Sequence, residues 1–334
     1  MIKITAETKE LMEKANKIHL QNFDNKVWFG RCIFLSWYCD VGDCKFCYRS
    51  TQKSRIKHAE KARRGVPSIL VEAILAKNLG WRIEFLTGGY RIFEFDQLVD
   101  IAKKVTQVYG EKIWLNLGAL EKEDLEAFRP YVKGIVSSIE AIDEELHNKI
   151  CPSKPIKPYE EMFDYAEDFK KSMTIVIGLG EKREHLQKLF DFIQKYKLER
   201  ITFYALRPIK GTPYTEGPST EDYVWWIANT RIRFPKLQII AGTSPKRVEE
   251  ISLVLKAGAN AITKFPATKL FNSKEANIIE EQVKLAGREF TSTLTKVPDI
   301  DWDGEVEKLP FEEEIKQKIK ITLSQYINTM RKRG

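Results

Sequence analysis

The sequence predicts an α/β fold: a (β/α) barrel of the TIM type, full or nearly full, with a helix before it and a helical extension after it. Three observations predict it. The 334 residues carry about eight short β-type segments. Helical patterns separate those segments one from the next, the order expected of a parallel barrel. The length suits one such barrel as well as two average domains, and no low-complexity linker or internal repeat divides it.

Taken in order, a period-3.6 pattern over residues 8–23 reads as a leading helix, and residues 28–36 as a buried strand running into a cysteine-bearing loop. A helix over 67–78 starts at Pro67 and is closed by Gly80. A strand at 82–86 runs into the turn Thr87-Gly88-Gly89-Tyr90. Helices at 95–109, 121–128, 159–169, 183–196, 221–234 and 245–256 then alternate with strands at 113–117, 134–139, 173–178, 200–206, 237–241 and 260–263. From residue 272 the tail is helical, with a loop around 298–304. As domains this gives an N-terminal helix at 1–24, a barrel over 25–265 and a helical extension over 266–334.

Hydrophobic residues make up 43% and charged residues 31%, enough for a large core under an ionised surface. No run reaches the ~18 apolar residues of a membrane span. The first 22 residues are charged throughout, so the sequence predicts neither a membrane segment nor a signal peptide. Five cysteines, three of them clustered, make no disulfide framework and point to a reducing, cytoplasmic setting. The net charge is +8, and the densest basic cluster (Lys53, Arg55, Lys57, Lys61, Arg63 and Arg64) directly follows the cysteine loop. Such a cluster suits an acidic partner; without interleaved aromatic residues it argues against nucleic acid.

The cysteine loop carries the chemistry. Zinc sites and ordinary iron–sulfur clusters want four protein ligands. Cys39, Cys44 and Cys47 are three thiolates on one loop, which suits a 4Fe–4S cluster with one iron left open to a small molecule. In a barrel the loops at the C-terminal strand ends carry function. Informative residues recur there: Gly88-Gly89 after the second strand, Glu140 after the fourth and Ile177-Gly178-Leu179-Gly180-Glu181 after the fifth. After the sixth, Pro208 and the Gly-Thr-Pro turn aim Arg207 across the mouth, to hold a substrate carboxylate or phosphate, or else to form a structural ion pair. His19, His58, His147 and His185 are scattered, which disfavours a Cys3His zinc site.

From about residue 8 to residue 263 the sequence resembles the radical S-adenosylmethionine (SAM) superfamily, in its biotin-synthase-like branch. That family's loop reads C-x3-C-x2-C with an aromatic residue before the last cysteine. Here Phe46 is in place and the first gap is one residue longer. The resemblance implies a 4Fe–4S cluster on Cys39, Cys44 and Cys47, with the amino and carboxylate groups of SAM on the open iron. It implies Phe46 against adenine, Thr87, Gly88 and Gly89 at the methionine amino group with Tyr90 where Glu is usual, Glu140 on the ribose hydroxyls, and Ile177 and Gly178 beside adenine. The Arg that clamps the SAM carboxylate in relatives has no counterpart, which leaves Lys154 or Lys157 to serve. Cluster and SAM together would supply a 5′-deoxyadenosyl radical able to take hydrogen from an unactivated carbon, which no side chain can do.

Within the branch, biotin synthase draws sulfur from a second cluster held by inward-facing strand cysteines and an Arg. The matching positions here read as Leu86, Leu115 and Met173, all apolar, which argues against a biotin synthase. Cys32 reads as a small buried hydrophobe. Cys151, expected near the mouth, is free to ligate a second iron–sulfur cluster or to act as a catalytic thiol. The likeness to one subunit of the archaeal two-protein lipoate synthase implies sulfur insertion into a protein-bound octanoyl chain. Its partners would be a sister radical SAM protein, an octanoylated acidic carrier domain and an electron donor such as ferredoxin. The alternative is carbon-skeleton or cofactor-maturation chemistry, of the methylornithine-synthase or hydrogenase-maturation kind. A non-catalytic metal-binding scaffold is the third option.

Overall fold

A computed structural model describes residues 2–88 and 92–332. Eight strands close a barrel: β1 (Lys26–Phe34), β2 (Arg82–Thr87), β3 (Ile113–Asn116), β4 (Val132–Glu140), β5 (Lys170–Ile177), β6 (Arg200–Ala205), β7 (Gln238–Gly242) and β8 (Ala261–Thr263). Each pairs in parallel with the next in sequence, and β8 returns to β1 to complete the ring. The connections carry α2 (Val66–Asn78), α3 (Phe95–Tyr109), α4 (Lys122–Phe128), α5 (Glu144–Ile150), α6 (Lys157–Tyr165), α7 (Leu186–Lys195), α8 (Thr220–Arg233) and α9 (Ile251–Lys256). Ahead of the barrel lies α1 (Ala6–Asn22); after it come α10 (Lys274–Leu285), a short strand β9 (Glu289–Phe290), α11 (Trp302–Glu307) and α12 (Glu313–Arg331). The predicted alternation holds strand for strand. The short helix α5 and the strand β9 were not predicted, and the expected helices at 183–196 and 245–256 begin as 3-10 turns, Arg183–His185 and Pro245–Glu250.

The helix α2 is apolar on every side, and Ile69 to Ala76 are buried in succession. It lies between the barrel, α3 and α12, so no face meets water. Its buried charge, Glu72, is held by Arg31 of β1 at 2.7 Å and Arg64 at 2.8 Å. Burial alone would raise the Glu72 carboxyl; the two guanidinium groups overcome it and hold the group below the ordinary range. This pair ties the end of the cysteine loop to the barrel wall. At the opposite end of the barrel, β9 adds to β1, Trp81 Nε1 donates to Thr293 O at 2.7 Å, and Phe29 N donates to Ser292 Oγ at 2.9 Å. The extension therefore stoppers the N-terminal end and leaves the C-terminal strand ends as the mouth.

Inside the barrel, Trp28, Ile240 and Ala261 form the lowest layer, and Cys32, Phe85, Trp114, Val136, Val176 and Tyr204 line the top. Leu86, Leu115 and Met173 do not face inward: all three are buried on the outside, between barrel and helices. This corrects the expectation that they mark the interior of β2, β3 and β5. On β3 and β5 the period of two turns Trp114 and Thr174 inward beside them. On β2 the pairing skips: Arg31 faces Ile83 but Cys32 faces Phe85, so Glu84 is an extra, bulged residue. The bulge turns both Glu84 and Phe85 into the barrel. Interior packing is tight at Gly134, where an added Cβ would overlap the Trp114 ring and lie 2.7 Å from Lys170 O. Gly134→Ala is expected to cost about 1–3 kcal/mol, read as a lowered midpoint of urea unfolding; an unchanged midpoint would mean that Trp114 is free to move aside.

Candidate active site at the barrel mouth

Between β1 and α2 the chain forms a strap across the mouth. Its base is a small ladder: Leu35 N donates to Thr87 O at 2.7 Å, Arg64 N to Leu35 O at 2.8 Å and Trp37 N to Ala62 O at 3.1 Å. Two cations brace the strap from within. Arg49 donates to Ser36 O at 2.9 Å and lies 5.1 Å over the Phe34 ring; Lys53 donates to the carbonyls of Asp40 and Val41. Gly42, at φ +51°, makes the turn between Cys39 and Cys44, where a Cβ would press to 2.7 Å of Cys39 O. Lys45 N donates to Ile150 O at 2.9 Å and docks the strap on the connection after β4.

Cys39, Cys44 and Cys47 are half-buried along this strap. Phe46 and Cys44 pack into an apolar cluster with Ile150, Cys151, Leu179 and Leu206. Cys151, almost fully buried, stands against Cys44. Contact with Cys151, and then the charge of Lys154, hold the Cys44 thiol below its usual range; Cys151 in turn is pushed up. Burial raises the Cys47 thiol, although Arg49 opposes it. Among the described residues no three His, Cys, Asp or Glu side chains converge on a single ion. Three soft donors on one braced loop, an apolar wall behind them and a buried Asp43 Oδ1 with no donor from the chain fit a 4Fe–4S cluster with a small-molecule ligand.

Glu140 ends β4 at φ +62°, after a bulge in which Ser138 faces Thr174 and Glu140 faces Ile175. Bulge and left-handed backbone together aim the carboxylate at Lys154, 2.8 Å away. Burial works to lower the Lys154 ammonium, but Glu140 and, after it, Tyr159 and Cys44 raise it well above its usual value. His147 spans the connection, its ring nitrogens 2.6 Å from Ile139 O and 2.5 Å from Lys154 O. Lys157, by contrast, is out on the surface, 3.7 Å from Glu161.

The remaining predicted positions divide. Thr87 is buried at the end of β2, and Gly88 lies against Leu35; Gly89 and Tyr90 fall outside the described residues. Gly178 has its amide taken by Glu181 at 2.7 Å, as Leu179 has at 2.9 Å. Ile177 is turned away, buried between barrel and helices, while Val176 and Leu179 face the mouth cluster. Arg207 is exposed, with no hydrogen bond or ion pair among the described residues; the structural ion pair is not made.

Sequence reasoning missed what lies beneath the mouth. Glu84, fully buried, accepts from Thr202 Oγ1 at 2.9 Å, Tyr204 OH at 3.0 Å and Cys32 Sγ at 2.9 Å, with the Thr263 hydroxyl as a further partner. Burial, and then the Glu84 charge, push the Cys32 thiol and the Tyr204 phenol up, so both stay protonated and donate. Arg200 donates to Glu84 O at 2.9 Å and lies 3.8 Å over Trp114; burial lowers its guanidinium to about 10. The signal was a lone glutamate in an apolar strand, visible in the sequence but without a face until the bulge is known.

Residues 37–193 match the Radical SAM superfamily, and residues 202–285 match the Biotin and Thiamin Synthesis associated domain. The chain belongs to the radical SAM superfamily. An uncharacterized protein of Methanocaldococcus jannaschii is similar to it, 39% identical over 310 residues, which are 91% of this chain and 86% of that one. A biotin synthase of Francisella tularensis subsp. holarctica is 25% identical over 83% of this chain and 92% of its own length. The 3-methylornithine synthase of Methanosarcina acetivorans is 24% identical over 78% and 76%. Among solved structures, methylornithine synthase shares the fold at a TM-score of 0.69 and 19% identity, over 85% of this chain and 90% of that one. The FeFe-hydrogenase maturase HydG from Carboxydothermus hydrogenoformans does so at 0.66 and 15%, over 99% and 86%. The chain is thus a radical SAM enzyme related to biotin synthase and methylornithine synthase. No described helix is long and apolar enough to cross a membrane.

Proposed function

We propose that this enzyme takes hydrogen from an unactivated carbon of a small anionic substrate and rearranges or fragments its carbon skeleton. The observation that carries this reading is what fills the barrel under the mouth. A sulfur-donating second cluster needs several thiolates facing one another. The inward positions of β2, β3 and β5 hold Glu84 and Phe85, Trp114, and Ser172, Thr174 and Val176, and the strand thiol Cys32 donates a hydrogen bond to Glu84.

Bound on Cys39, Cys44 and Cys47, a 4Fe–4S cluster with SAM supplies the radical. The chain's own part is orientation and exclusion of water. Glu140 keeps Lys154 in place and has a second carboxylate oxygen for paired hydroxyls; Phe46, Leu179 and Leu206 form a dry wall. Across the mouth, Lys264 follows β8 in a left-handed backbone, φ +73°. Its ammonium lies 4.7 Å from the Tyr204 ring and 5.7 Å from the Phe34 ring, with no carboxylate partner among the described residues. A cation held over two aromatic rings by strained backbone suits a substrate carboxylate, with Arg207 as the outer counterpart.

A second reading, sulfur insertion into a protein-bound octanoyl chain beside a sister radical SAM protein, draws on Cys151, a spare thiol against Cys44 at the mouth. Metal analysis after anaerobic reconstitution separates the two. About four irons per chain are expected for carbon chemistry and about eight for sulfur insertion; zinc alone would sink both. With SAM and a reductant, 5′-deoxyadenosine must form.

A further inference from the structure

The net charge of this protein is not spread over it. Of the +8 carried by the whole chain, residues 45–64 hold +7, from eight lysines and arginines against one acid, Glu60. Half of those cations serve the strap itself. Arg49 and Lys53 brace its carbonyls, Arg64 pairs with Glu72, and Arg63 lies 5.1 Å over the Phe93 ring. The other half, Lys45, Arg55, Lys57 and Lys61, are exposed and have no ion pair among the described residues. Two of the large exposed hydrophobic side chains lie on the same strap, Trp37 at 48% and Tyr48 at 49% exposure, which flank the three cysteines in sequence. Asp40, Asp43 and Glu60 leave the strap from Trp37 to Arg64 strongly positive, and exposed aromatic side chains beside unpaired cations are the composition of a protein-docking face.

We propose that the outer face of the strap docks an acidic one-electron carrier protein. The proposal rests on the radical SAM reading of Cys39, Cys44 and Cys47. Cleavage of SAM consumes one electron, and no side chain of the chain can supply it. One electron leaves the reduced carrier, which is oxidised by one, and enters the cluster, which is reduced by one; no bond or proton moves. Electron transfer needs the two centres close, and the cationic face lies on the loop that carries the cysteines, with Lys45 between Cys44 and Cys47. Opposite charge brings an acidic carrier to that face and orients it there.

The test uses the full chain, reconstituted anaerobically, and a purified acidic ferredoxin as the probe. The rate of cluster reduction by reduced ferredoxin is followed by stopped flow at low and high salt. The triple variant R55E/K57E/K61E is expected to be reduced about 10- to 10³-fold more slowly at low salt, the difference closing as salt rises. The milder K57Q/K61Q should fall between. Iron content and the final extent of reduction by excess dithionite should match the unmodified protein in both. A ferredoxin rate that charge reversal leaves unchanged overturns the proposal. So does tight binding of single-stranded DNA that the reversal abolishes while the ferredoxin rate stays put, which would give the face to nucleic acid. If the unmodified protein takes up no iron, the cluster reading itself fails, and the docking proposal with it.

Discussion

Single replacement of Cys39, Cys44 or Cys47 by alanine is expected to leave a folded barrel that no longer cleaves SAM. The three thiols are half-buried on a strap outside the main core, and the strap is also held by Arg49, Lys53 and the ladder at its base. Their loss should therefore shift stability little, within about 1 kcal/mol. Each removal takes away one of three ligands, and a cluster left with two protein thiolates is not retained. Iron content should drop, and 5′-deoxyadenosine formation should fall to background, while the unfolding midpoint stays near that of the parent. Cys151→Ala is the informative contrast. It leaves the three strap thiols in place, so iron content is expected to persist. Full SAM cleavage by any of the three strap variants would remove the basis for assigning the cluster there.

The largest effect on stability is expected at Glu84. Its carboxylate is the common acceptor for Cys32, Thr202, Tyr204 and Thr263, all buried, and Arg200 is bound to its backbone. Glu84→Ala would strand Cys32, Thr202 and Tyr204 in a space closed to water and open a cavity among them, while Thr263 keeps Gly30 O at 2.9 Å. Unsatisfied buried groups and the void together place the expected loss at about 3–5 kcal/mol. Glu84→Gln keeps the shape and one acceptor oxygen but turns an amide donor toward two other donors, so an intermediate loss is expected. Chemical unfolding followed by far-ultraviolet circular dichroism measures both. Equal stability of Glu84→Ala and the parent would mean that the belt is not a structural unit and that water reaches it.

The barrel was legible because its signals are local. Each strand is a short apolar run and each helix a 3.6-residue pattern, and their order alone implies parallel pairing. Where two local rules compete, the reading slipped by a residue or two. The 3-10 turns before α7 and α9 carry the same periodicity as the helices they introduce, and α5 is a second helix beside α6 in the one crossover from β4 to β5, where the alternation implies a single helix. The face of a strand is less secure still. A single bulge at Glu84, opposite the step from Arg31 to Cys32, reverses which later residues of β2 point inward, and no local pattern shows it.

By itself, then, the sequence determined the ring of eight strands, the strap with its three cysteines and the concentration of positive charge beside them. Those features depend on residue order and composition, which do not change when the chain folds. Only the tertiary structure decided that Glu84 rather than Leu86 faces the interior, that Val176 rather than Ile177 meets the mouth, and that Cys151 comes to rest against Cys44. Each of these turns on which side of a strand or loop meets a partner more than a hundred residues away in some cases, and that side is set by register and packing of the closed barrel.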